Sequence, residues 1–123
     1  MARTTIELTT KELQEYHPGG KQKDEQIAER WDRAWKIANT AAGVLRKKYG
    51  AGRVAVFGSL VNRAWFTPWS DIDLIAWGIP ASEFYRAVAV ITGLSPEFKI
   101  DLIDPETCRP ALLLWIDREG IEL

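Results

Sequence analysis

Cysteine and histidine are nearly missing from this 123-residue chain, which carries one of each, Cys108 and His17. A single cysteine cannot close an internal disulfide and a single histidine cannot build a His-rich zinc site, so any metal here must be held by oxygen. A surplus of charge is missing too. Sixteen basic and seventeen acidic residues leave a net charge of −1, which gives no bulk attraction to nucleic acid or to an anionic membrane, and neither is expected as a direct partner. No apolar run approaches the roughly 20 residues of a membrane span, and the opening "MARTTIELTTKELQEY" lacks the apolar core of a signal peptide, so the expected location is the cytoplasm. Internal repeats and low-complexity tracts are absent as well. The length suits one domain with its own core, too short for a separate substrate-recognition domain beside a catalytic one.

What is present begins with a polar stretch. Residues 1–20 show no sustained period and end in "HPGG", which predicts an arm ahead of a domain over residues 21–123. From Lys21, Ile27, Trp31, Trp35, Ala38, Ala42, Leu45 and Tyr49 recur at helical spacing, with acids early, "RKK" late and Gly50 as the stop. "RVAVF" (53–57), "DIDLIAW" (71–77) and "FKIDLID" (98–104) read as strands. Between the last two, "ASEFYRAVAVITG" predicts a helix with Phe84, Val88 and Ile91 on one face, Ser82 as cap and Gly93 as stop. A last helix carries Leu112, Trp115 and Ile116, starting either at Asp104 and Pro105 or at Pro110. The expected fold is α/β (α+β): a small mixed sheet of three to four strands flanked by helices.

Two aspartates interrupt the second strand, and burying an unpaired carboxylate is costly. Residues i and i+2 of a strand share a face, so Asp71 and Asp73 project together with Cα atoms about 7 Å apart. Two carboxylates this close repel unless a cation lies between them, and hard oxygen ligands suit Mg2+ or Mn2+. Asp101 interrupts the third strand in the same way and is the candidate third acid. Three acids on neighbouring strands could hold two metals roughly 4 Å apart, the arrangement that serves phosphoryl chemistry. Gly58 and Ser59 follow the first strand where the chain must turn, and a helix starting there would aim backbone N–H groups at a phosphate. Alone, Gly-Ser is an ordinary turn; together with the acids it sums to a site for a metal-complexed nucleoside triphosphate.

Other features carry less. Lys99 shares a strand face with Asp101 and is set aside as a surface pair of little worth. "GAGRVA" (50–55) has the helix-to-strand order that a dinucleotide fingerprint forbids. His17 reads as an exposed linker residue and Cys108 as a buried or neutral one, neither with a case for catalysis. Of the six tryptophans, Trp31 and Trp35 fall on the helix stripe, whereas Trp65 and Trp69 lie in the loop between the motif halves and suit partner or loop packing.

"FGS" followed by "DID" and then by the strand "KIDLID" resembles the minimal nucleotidyltransferase domains of the DNA polymerase β-like superfamily. The resemblance spans roughly residues 25–123, and the closing "WIDREGIEL" is similar to the usual ending of these proteins. It implies that Gly58 and Ser59 contact the triphosphate, that Asp71 and Asp73 ligate two divalent metals, and that Asp101 shares one metal and deprotonates or orients the acceptor hydroxyl. The chain departs from the family's usual Arg-Gly after the serine, for Arg63 is followed by alanine and tryptophan; Arg63 is still expected with Gly58 and Ser59 among the nucleotide-binding residues, reaching a phosphate from a shifted register. The implied activity is Mg2+-dependent transfer of AMP from ATP to a hydroxyl of a partner protein, in the family an all-helical HEPN ribonuclease for which such domains serve as antitoxins. A homo- or hetero-oligomer is compatible with that pairing. The rival expectation is a catalytically weak or inactive module of the same fold that neutralises a partner by occlusion; transfer to a small molecule ranks last because no further domain shapes a pocket for it.

Overall fold

The computed structural model describes the chain from Gly20 to Leu123, with side chains from Asp24 onward. The arm expected over residues 1–20 lies outside the described residues up to residue 19, and Gly20 already belongs to the first helix. That helix, α1 (Gly20–Tyr49), runs for 30 residues. Its first turn holds no acid; Asp24 and Glu25 come one turn later. At its end Gly50 takes φ +74°, a left-handed conformation suited to glycine. The Ala51 N–H then returns to the Leu45 carbonyl at 3.1 Å, folding the chain back over the end of the helix.

Three of the four strands fall where the sequence pattern put them, the third trimmed to four residues, and the fourth lies outside that pattern. β1 (Arg53–Phe57), β2 (Ile72–Trp77), β3 (Ile100–Ile103) and β4 (Ile121–Glu122) form one sheet in the order β3-β2-β1-β4. β1 is antiparallel to both β2 and β4, whereas β2 and β3 run parallel, so the sheet is mixed. The parallel pair is joined by α2 (Ala81–Thr92), which supplies the crossover that parallel strands require. α3 (Pro110–Glu119) starts at Pro110, the second of the two expected starts, with proline at the first turn where its missing N–H costs nothing. Asp104 instead shapes the turn before it, accepting from the Glu106 N–H at 3.0 Å through its carboxylate. Ser82 does not cap α2, which begins after Pro80 without a side-chain cap.

Alternation divides the sheet into two unlike faces. On one, Val54, Val56, Ile72, Leu74, Ala76, Ile100 and Leu102 pack under α1 (Ala34, Ala38, Ala41, Leu45) and α2 (Ala87, Ile91). On the other, Ala55, Phe57 and Ile75 meet, among the described residues, α3 through Ile116 with Leu112 and Trp115 beside it, and Cys108 of the turn before it. Asp73 and Asp101 belong to this second, thinly covered face. No helix among the described residues is long and apolar enough to cross a membrane.

Candidate active site

The acids meet through strand register. Parallel pairing of β2 with β3 sets Asp73 directly beside Asp101, and antiparallel pairing of β1 sets Phe57 on the other side of Asp73. Neighbouring strands lie about 4.8 Å apart, so both carboxylates occupy one patch. Asp71 stands immediately before β2, two residues from Asp73 and on the same side by alternation. All three are half-buried. They sit at the end of the sheet where β1 finishes and β2 starts, beyond the apolar cover of α3.

Gly58 closes the patch from the β1 side. Its φ is +78°, and a Cβ built there would fall inside van der Waals contact of Asp73 Oδ2 and 3.3 Å from Asp73 Cγ. Any side chain would press on the carboxylate, so glycine is required both for the backbone turn and for the close approach. The helix expected at this point is a single 3-10 turn, Gly58–Leu60, and not an α-helix. The turn is pinned from outside: the Trp31 indole N–H donates to the Leu60 carbonyl at 3.0 Å. Ser59 is half-buried on the same turn, one residue from the contact with Asp73.

Arg63 is not gathered with the acids. It opens a second 3-10 turn, Arg63–Trp65, capped by the Asn62 side chain, and its guanidinium lies over the Trp31 ring at 5.8 Å. The loop then tightens before β2: the Thr67 N–H donates to Ser70 Oγ at 2.8 Å and the Trp69 N–H to Thr67 Oγ1 at 3.2 Å. Arg30 of α1 donates to the Ser70 carbonyl at 3.4 Å while its guanidinium rests on Phe98. The approach to Asp71 is thereby tied to the helix. Trp65 and Trp69 are left 55% and 84% exposed, too open for loop packing to account for them.

Electrostatics single out Asp73, whose pKa is pushed up to about 6. Burial is the main cause, because desolvation disfavours the charged form; the charges of Asp101 and Asp71 add to it, and Lys99 opposes it. Lys99 Nζ lies 3.9 Å from Asp101 Oδ1. The acids share a patch but do not converge on one point: among the described residues, no three His, Cys, Asp or Glu side chains are gathered closely enough to hold an ion. Like charges standing apart are the expected arrangement of carboxylates without a cation between them. The donor set, three carboxylates on one sheet face with a glycine cradle, nevertheless fits a hard divalent cation with retained waters.

Gly58, Ser59, Asp71, Asp73 and Asp101, the residues expected from the sequence, share one patch, whereas Arg63 lies away from it. Trp31, expected in the core, also holds the Gly58–Leu60 turn, and its position four residues from Ile27 and from Trp35 on the stripe carries no sign of it. Lys99 was set aside although its spacing from Asp101 already put both on one face. Comparison with the profiles of known families and with curated proteins finds no match for this chain.

Proposed function

We propose that this chain is a cytoplasmic, Mg2+-dependent nucleotidyltransferase of the minimal type, moving AMP from ATP onto a hydroxyl of a partner protein. The observation that carries the reading is the register that sets Asp73 beside Asp101 with Gly58 pressed against the Asp73 carboxylate. Half-buried acids held apart from one another at a sheet end serve no packing purpose and invite a cation.

In this reading Asp71, Asp73 and Asp101 would hold Mg2+ or Mn2+, which when bound neutralises the triphosphate and stabilises charge on the transferred phosphate. The Gly58-Ser59 backbone and the Ser59 hydroxyl cradle the triphosphate tail at a turn where no side chain blocks it. Asp101, exposed enough to meet an acceptor, takes the proton of the attacking hydroxyl. The hydroxyl oxygen forms a bond to the α-phosphorus, the bond from that phosphorus to the bridging oxygen breaks, and pyrophosphate leaves. The domain offers little surface to recognise an acceptor unaided, so the acceptor is a docking protein, by the family resemblance a HEPN-type helical partner of a toxin–antitoxin pair.

The test is intact-mass spectrometry of the protein mixed with the product of the neighbouring gene, Mg2+ and each nucleoside triphosphate in turn, with Asp73→Asn alongside. A gain of one nucleoside monophosphate on the partner, lost with the variant, is the expected result. A second reading, an inactive module that neutralises its partner by occlusion, is favoured by Arg63 turning to Trp31 and by the exposed Trp65 and Trp69. An intact complex in native spectra without any mass gain would establish it instead.

A further inference from the structure

Several cations of the described residues are engaged at a distance from the acids. Arg30 and Arg33 engage Glu97, Arg53 engages Asp117 and Glu122, Arg86 engages Glu83, and Arg63 lies over Trp31. Lys99 is different. Its backbone carbonyl accepts from the Ile72 N–H at 2.9 Å, which places it alongside the start of β2. With Ile100 paired to Ile72 and Asp101 to Asp73, alternation puts Lys99 and Asp101 of one strand on the same face as Asp71 and Asp73 of the next. The patch is a quartet of three carboxylates and one ammonium, and Asp101 belongs both to the acid cluster and to the ion pair.

An exposed pair of this kind contributes little to folding. Lys99 is 67% and Asp101 42% exposed at a separation of 3.9 Å. Weakness of that order is what exchange requires, since a divalent cation can displace the ammonium from Asp101 at small cost. The displaced side chain is long, flexible and solvated, and the nearest anion it then finds is the triphosphate that accompanies the cation.

We propose that Lys99 is the site's own counter-cation, pairing with Asp101 until a metal–triphosphate complex enters and then passing to the triphosphate, so that the site selects the complex over the bare ion. The proposal rests on the nucleotidyltransferase reading and assigns a positioning and selectivity role to a residue outside the acid and glycine motif. Its signature is opposite in sign for two ligands. With Lys99 present, a bare divalent cation enters against a positive charge, whereas a metal–triphosphate complex gains one.

Isothermal titration of the full chain with Mn2+ alone and with ATP in excess Mg2+, on wild type, Lys99→Met and Lys99→Arg, tests this. For Lys99→Met the expected result is Mn2+ bound about tenfold tighter, the effect of removing a unit charge about 6 Å from a double one in a water-like dielectric, and ATP bound several-fold weaker. Lys99→Arg keeps both affinities near wild type. Affinities that are unchanged, or that fall together, in Lys99→Met would overturn the role of Lys99 while leaving the wild-type binding, and with it the nucleotidyltransferase reading, in place. A wild-type chain that binds neither Mn2+ nor ATP would overturn both. Thermal melts check that each variant is folded, as expected for an exposed position.

Discussion

The two faces of the sheet are built to different ends. Under α1 and α2 the strands present only apolar side chains, and Val54, Val56, Ile72 and Leu74 are fully excluded from water. Under α3 the same strands present Ala55, Phe57 and Ile75 for part of their length and then two aspartates. Strand alternation makes both possible at once: Leu74 anchors the core while Asp73, its neighbour, stands in the open patch. The stability of the first face is what allows the second to hold carboxylates in an unfavourable arrangement.

The largest expected contrast is between activity and stability at Asp73. On the proposed transferase reading, Asp73→Asn should lower nucleotide transfer by at least about 10²-fold without unfolding the chain, and single-turnover kinetics with the unmodified acceptor would measure it; transfer at the wild-type rate would remove Asp73 from that chemistry. Leu74→Ala, one residue away on the other face, should do the reverse, costing about 2–5 kcal/mol in urea denaturation. Ile116→Ala under α3 should lie toward the lower end of that range, because its cluster is small and next to solvent, and equal costs on the two faces would show that α3 is as integral as α1.

Gly58→Ala should cost about 1–3 kcal/mol from its positive φ and from contact with the Asp73 carboxylate. Combining it with Asp73→Ser, which shortens the side chain, should recover part of that loss in thermal melts; strict additivity would locate the strain in the backbone alone.

A smaller effect separates the faces by pH. Because the Asp73 pKa is raised to about 6, the folded state holds this proton more tightly than the unfolded chain does, so stability falls as pH rises from about 4 to about 6. Asp73→Asn should therefore be more stable than wild type at pH 7.5, by of order 1 kcal/mol once screening of the partly exposed group is allowed for, and the gap should vanish near pH 4. Mg2+ should narrow the gap at pH 7.5 by stabilising the wild type. Glu97 has the opposite sign: its hydrogen bond to Arg33 lowers its pKa, so its contribution is present above the ordinary glutamate range and fades as pH falls through the lowered value. The group is exposed, and Glu97→Gln should shift a melt only slightly, most visibly at low salt.

Much of this was legible in the chain itself. "RVAVF" matches β1 residue for residue, since a short β-branched run between a Gly-rich turn and Gly58 has few alternatives. The acid pair was legible because period two is a property of any strand, and Asp101 because it breaks an apolar run in the same manner. β4 went unseen: two residues pair with Ala55 and Val56 only because the β1 edge stands open beside the end of α3, and two residues carry no periodicity. The start of α3 was ambiguous because Asp104 and Pro105 imitate a helix start that the structure uses for a turn. The Gly58–Leu60 turn was overestimated as a helix because local pattern cannot count the room available between β1 and the Trp31 anchor.

The sequence by itself determined which residues could be strands and helices, that any metal must be held by oxygen, and that Asp71 and Asp73 share a face, for these follow from composition and from local backbone geometry. Only the tertiary structure decided that β3 lies parallel beside β2 in the register that joins Asp101 to Asp73, that Gly58 rests on a carboxylate, and that Lys99 completes the patch. Register between strands far apart in the chain is set by the packing of α1 and α2 on the opposite face, where a slip of one residue would turn Ile100 and Leu102 out of the core.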